Sequence, residues 1–151
     1  MKRRNSHPSF FQEHSLSLVA SAVLITWLVL YVFSDERTHL GSFFGNAIAD
    51  WTGVLATIVL TKYFFEKGSA ESRTPHDQGL LGIKKLWRDH SLTVVLCLTG
   101  AAWVVFYVRM DSEGKWGQVV GNIVSEWTQL LGMVLLTKRL VEPRSKESKS
   151  K

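Results

Sequence analysis

Charge is missing from two long stretches of this chain. Residues 15–34 and 91–108 hold no Asp, Glu, Lys or Arg, although the whole sequence carries 18 Lys and Arg and 13 Asp and Glu. An uncharged run of about 18–20 residues is what a helix needs to cross the hydrocarbon core of a bilayer. A soluble amphipathic helix would return a polar residue every third or fourth position, and 16–33 offers only Ser17, Ser21 and Thr26. The missing solvated face makes a soluble four-helix bundle a poor fit.

Cysteine is nearly absent as well. The lone Cys97 excludes an internal disulfide, and its place in the third apolar segment reads as a small packing residue. No cysteine–histidine cluster is present, so no metal is expected, and nothing points to a cofactor. There is no phosphate-binding loop and no nucleophile–base constellation, and the loops outside the apolar segments are too short to build a pocket. An enzyme is therefore not expected. The basic residues lack an aromatic-interleaved groove or a recognised motif, which argues against nucleic acid as a partner. The first apolar run is too long for a cleaved signal peptide, and Asp35-Glu36-Arg37 follows it where a small-residue cleavage site would stand.

Two further apolar segments, 41–65 and 117–141, are long enough to span but each carries one acid. The expected fold is all-α and integral to the membrane, with four transmembrane helices. Most basic residues fall in the N-terminal tail, the central linker and the C-terminal end. The positive-inside rule then places both termini in the cytoplasm of a bacterial inner membrane, with anionic headgroups against the basic side.

A second pattern runs through the chain. Residues 11–66 recur at 87–142 with a constant offset and no gap: His14-Ser15-Leu16 matches His90-Ser91-Leu92, Trp27 matches Trp103, and Tyr31 matches Tyr107. Asp35 matches Asp111, Gly45-Asn46 matches Gly121-Asn122, Trp51-Thr52 matches Trp127-Thr128, and Thr61-Lys62 with Glu66 matches Thr137-Lys138 with Glu142. Two helices per unit return the chain to its starting side, so the units are expected as parallel-oriented tandem hairpins. The organisation reads as a basic tail (1–10), hairpin repeat 1 (11–66), a linker ending in a short amphipathic helix (67–86), hairpin repeat 2 (87–142) and a charged tail (143–151). With four helices per chain, a homo-oligomer or a membrane-protein partner is expected.

One position stands out within the repeat: Asp50 is matched by Glu126, which keeps the carboxyl. A charged acid at membrane depth costs on the order of 2.5–3.5 kcal/mol, and binding a proton or a cation relieves that cost. Asn46 and Asn122 stand one helical turn away on the same side. Folding each hairpin about its loop puts the acids roughly 10 Å below the outer helix ends, with Tyr31 and Tyr107 within reach. Asp50, Glu126, Asn46, Asn122, Tyr31 and Tyr107 are thus the expected proton- or cation-binding groups. His14 and His90, at the inner mouths, are read either as gating or relay groups or as caps of the apolar helices. Lys62 with Glu66 and Lys138 with Glu142 read as i, i+4 pairs at the inner boundary. Gly45, Ala49 and Thr52, with Gly121, Ser125, Thr128 and Gly132, form small-residue faces expected to bring the second and fourth helices together or to meet a second subunit.

The segments Glu13-His14-Ser15-Leu16-Ser17-Leu18, Phe44-Gly45-Asn46-Ala47-Ile48-Ala49-Asp50-Trp51 and Lys67-Gly68-Ser69-Ala70-Glu71-Ser72 carry a resemblance. With Gly121-Asn122 through Glu126-Trp127 and Arg144-Ser145-Lys146-Glu147-Ser148, they resemble an uncharacterised family of small bacterial four-helix membrane proteins built from two copies of one unit. The resemblance covers the chain from residue 11 onward; it departs in shorter external loops and in Ala47 and Ile123 where the family has Trp. It implies the architecture and singles out the Asn and acid positions, but it implies no substrate. Two readings stay open: a proton- or cation-conducting pathway through the paired carboxyls, or a structural or partner-binding module in which the acids clamp each hairpin, with Trp51 and Trp127 as interfacial aromatics.

Overall fold

The computed structural model describes residues 10–73, 79 and 81–140 of the chain. Those residues form four α-helices and no strand: α1 (Phe10–Val32), α2 (His39–Tyr63), α3 (Gly82–Arg109) and α4 (Lys115–Leu136). All four are long and apolar enough to cross a membrane, and the chain is a multi-pass membrane protein. The N-terminal residues up to 9, Leu80, Glu142 and the charged tail lie outside the described residues.

Each hairpin turns on an aspartate. Asp35 Oδ1 accepts the Arg37 N–H at 2.9 Å, and Asp111 Oδ1 accepts the Glu113 N–H at 3.1 Å. This aspartate-to-backbone bond closes a tight turn and frees the next residues to start a helix. In the first hairpin Thr38 caps α2, its hydroxyl oxygen accepting the Gly41 N–H at 3.0 Å. Glycine follows in both turns for a steric reason: a Cβ on Gly41 would collide with the Asp35 carbonyl, and one on Gly117 with that of Asp111.

Within each hairpin a tyrosine fills the space left by a second glycine. A Cβ on Gly45 would lie 3.2 Å from the Tyr31 ring, and one on Gly121 would lie 3.0 Å from the Tyr107 ring. Gly45 and Gly121 therefore seat the aromatic rings of their own hairpins. Gly132 has nothing within 4 Å of where its Cβ would be.

Helix α1 packs on α2, α3 packs on α4, and α2 and α4 pack on each other. The apolar windows of α1 and α3 are 11% and 17% buried, against 28% for each of α2 and α4, so the second pair is central. The core gathers Tyr31, Ile48, Leu92, Leu96, Ile123 and Trp127. Trp127 is 8% exposed and its indole N–H donates to Thr99 Oγ1 at 2.8 Å, which makes it a core residue and not an interfacial aromatic. Cys97 is exposed instead of packed inside.

The expected short amphipathic helix is continuous with the third transmembrane segment. It exposes Ile83, Leu86 and Trp87 and runs into α3 through a kink at His90, whose backbone is non-helical (φ −136°, ψ 17°). The cause is visible in the hydrogen bonds. Leu92 N–H donates to Phe65 O at 3.0 Å, Thr93 N–H donates to Glu66 Oε2 at 3.2 Å, and Asp89 O accepts Lys67 N–H at 2.7 Å. The chain leaving α2 has inserted into the backbone ladder of α3, and an inserted group bends a helix at that point.

Valine at Gly117 is expected to destabilise the fold by about 1–3 kcal/mol, seen as a lower unfolding temperature in detergent, because the turn backbone has no room to yield. Alanine at the open Gly132 should leave that temperature unchanged or slightly raised.

Candidate functional site

Two polar clusters lie on these helices, one near the middle of α2 and α4 and one at the end where α2 leads into α3. The first is built where α2 meets α4. Asn122 Nδ2 donates to Asn46 Oδ1 at 2.5 Å, joining the hairpins side chain to side chain. Asp50 and Glu126 follow one turn further on, and with Ser125 and the two asparagines they line a pocket of about 140 Å³. Glu126 Oε1 accepts from Gln129 Nε2 at 3.2 Å. Glycine at position 53 lets Glu126 in, since a Cβ there would stand 3.0 Å from Glu126 Oε2.

The acids sit deeper than the loop count suggests. Because α2 begins at His39 and α4 at Lys115, each acid lies eleven residues in, about 16 Å along the axis at 1.5 Å per residue. That is close to the midpoint of either helix. The pocket also opens outward: Asn46, Asp50 and Ser125 are exposed on the surface of the single chain.

The tyrosines do not join this site. The Tyr31 hydroxyl donates to the Lys115 carbonyl at 2.6 Å, and Lys115 Nζ in turn donates to Ser34 O at 2.5 Å, so Tyr31 ties the C-terminal end of α1 to the start of α4. Its ring is committed to Gly45 and Trp116. Tyr107 sits equivalently against Gly121. The side chains of Thr52 and Thr128 return their hydroxyls to the carbonyls of Ile48 and Val124 in their own helices. Ala49 is buried in the core.

The second cluster centres on Glu66, which is fully buried. Its Oε1 accepts from His90 Nδ1 at 2.6 Å and pairs with Lys138 Nζ. Its Oε2 accepts the Thr93 N–H at the start of the straight part of α3, where the helix dipole favours a negative charge. Around it, Ser91 Oγ accepts the Phe65 N–H at 2.9 Å, Ser72 Oγ accepts the Glu66 N–H at 2.8 Å, and Ser69 Oγ meets Thr137 Oγ1 at 3.0 Å. Sequence spacing read Glu66 as the i+4 partner of Lys62. The structure pairs it across the hairpins because α2 ends at Tyr63, so the helical register that would join Lys62 to Glu66 is gone. Nor does His90 cap a helix, for α3 runs through it with a kink; it donates to Glu66. His14 lies within α1, its ring against Phe10 and its Nδ1 3.3 Å from Lys62 Nζ. The signal for the Glu66 cluster was present in the repeat, where His, Lys and Glu recur together.

Burial by itself would raise the Glu66 pKa. Hydrogen bonds from Lys138, Thr93 and His90, with the charge of Lys138, outweigh it and hold the carboxyl below its usual range. Among the described residues no group of three or more His, Cys, Asp or Glu is arranged to hold a metal ion. Comparison with protein-family models, with curated proteins and with solved structures finds no match to this chain.

The depressed Glu66 pKa fixes the sign of a pH effect. A carboxyl whose folded pKa lies below its unfolded value contributes stability that is complete above the unfolded value, about 4.5, and is lost as pH falls through the folded value. Glu66→Gln should lower stability near neutral pH by about 3–5 kcal/mol by leaving Lys138 without its buried partner. It should also remove that part of the acid-induced loss below about pH 4.5 that wild type shows in thermal unfolding followed by circular dichroism.

Proposed function

We propose that this protein conducts or transports protons or a monovalent cation through a site formed by Asp50 and Glu126. The observation that carries the reading is the shared mid-membrane pocket, in which a carboxyl from each central helix meets the Asn46–Asn122 pair. A carboxyl at that depth is expensive when ionised and alone. Two of them in one pocket offer a proton or a small cation two acceptors, and the asparagine and serine oxygens supply neutral ligands beside them.

The site is incomplete in one chain. Asn46, Asp50, Ser125, Thr128 and Gln129 are all exposed at membrane depth, where lipid cannot hydrogen-bond them. A second copy of the chain laid over this face would supply partners and enclose the carboxyls, because the face carries donors and acceptors together and so complements itself across a twofold axis. The basic residues at the tails and linker support a bacterial inner-membrane setting with both termini cytoplasmic and anionic headgroups against the inner surface. The likeness to small two-unit bacterial membrane proteins and a tandem duplication are part of the same reading. The rival clamp reading gains less support, since Trp127 is in the core and the hairpins are tied by other groups at both ends.

Protein reconstituted in liposomes under a proton or potassium gradient should give flux that Asp50→Asn/Glu126→Gln abolishes while helicity and elution volume are kept. Well-folded wild type without flux would rule the pathway out. In a Cys97→Ser background, cysteine at Thr128 should cross-link two copies in the membrane, and an exclusively monomeric product would remove the second copy from the site.

A further inference from the structure

The Glu66 cluster shows what a histidine–lysine pair at the inner end of this fold holds: an anion. His90 and Lys138 converge on one carboxylate oxygen. Seventy-six residues earlier in the sequence stand His14 and Lys62, and they too are brought together, with His14 Nδ1 3.3 Å from Lys62 Nζ. Among the described residues no carboxylate bonds to this second pair. Lys62 donates instead to the Glu13 carbonyl at 3.3 Å, and its ammonium stands 5.7 Å from the centre of the Tyr63 ring.

The two pairs differ in what lies beside them. Next to His90 and Lys138 the space is filled by the chain leaving α2. Next to Lys62 is an open groove of about 830 Å³ at the inner end of α1 and α2. Leu16, Ile58, Thr57 and Thr61 line its membrane side, and Lys62 and Arg73 stand on its rim. The groove thus carries aliphatic and hydroxyl side chains along the transmembrane helices and cations at the level where headgroups lie. Glu13 and Glu71 also line the groove.

We propose that His14 and Lys62 form a phosphate-binding site for a phospholipid whose acyl chain lies in this groove. In the free protein Lys62 donates to the Nδ1 lone pair of His14. On binding, His14 takes the tautomer with hydrogen on Nδ1, so that the imidazole and the ammonium both donate to one phosphate oxygen, as His90 and Lys138 do to Glu66. No net proton is consumed. Arg73 lies on the same rim for a second oxygen. The proposal is independent of the carboxyl pathway, since it uses none of its residues.

The full chain in a neutral detergent would be titrated with short-chain phosphatidylglycerol and, separately, with inorganic phosphate, following the unfolding temperature. Phosphatidylglycerol is expected to raise it saturably, with Lys62→Gln and His14→Gln each weakening the apparent affinity about tenfold, the order of one charge-assisted hydrogen bond. Lys62→Arg should retain binding, which separates loss of the ligand from loss of the fold. Stabilisation by inorganic phosphate to the same extent, abolished by Lys62→Gln, would assign the site to a free anion instead of a lipid. Absence of any saturable shift, or a shift unchanged in both His14→Gln and Lys62→Gln, would overturn the site. Binding that appears only in Glu142→Gln would overturn an external ligand, because the chain's own carboxylate would then be the occupant.

Discussion

A single carboxylate ties the two hairpins together at the end where α2 leads into α3. Glu66 is removed from water entirely, and it meets a lysine from the end of α4, a histidine from the bend of α3 and a backbone N–H from the turn beyond. A buried carboxylate is tolerated only when paired and hydrogen-bonded, and these contacts together supply that pairing. The bend in α3 follows from it. Once the carboxylate and the Phe65 and Lys67 backbone occupy the ladder at Asp89, Leu92 and Thr93, an uninterrupted α-helix is no longer available to those residues. The position of the amphipathic first turns of α3 follows in turn, since they lead away from that bend with Ile83, Leu86 and Trp87 facing outward.

The opposite end, at the hairpin turns, is tied differently. There Tyr31 crosses from the first hairpin to the Lys115 carbonyl, and Lys115 crosses back to Ser34. One end of the assembly is fixed by an ion pair, the other by hydrogen bonds to main-chain carbonyls. Between the two ties, α2 and α4 meet through Asn46 and Asn122, with glycine at position 53 letting Glu126 approach. The polar pocket therefore lies between two tied ends.

Helix number, length and apolar character were legible in composition alone, because charge-free runs are a one-dimensional property and hydrocarbon thickness sets their length. The hairpin turns at Asp35 and Asp111 were marked by recurring residues, and i, i+4 spacing placed Asn46 with Asp50, and Asn122 with Glu126, on one face of each helix. Three features were not legible. The partner of Glu66 depends on where α2 stops, and no glycine or proline announces that stop at Tyr63. The depth of the acids depends on the helices starting at His39 and Lys115, a few residues from where symmetric folding of the loop would place contact. The use of Tyr31 depends on a backbone carbonyl in the other hairpin, and a main-chain acceptor leaves no trace in a sequence.

The Glu66–Lys138 contact also has a consequence for how the chain is made. Ribosomes deliver the first hairpin long before Lys138, so Glu66 leaves the translocation machinery with its strongest counter-charge not yet synthesised. Until α4 is threaded, the junction between hairpins carries a carboxylate that has only the bend of α3 to rest on. Arrival of the last helix closes the junction, and a truncated or stalled chain is left with an acid at its hinge that lacks its lysine.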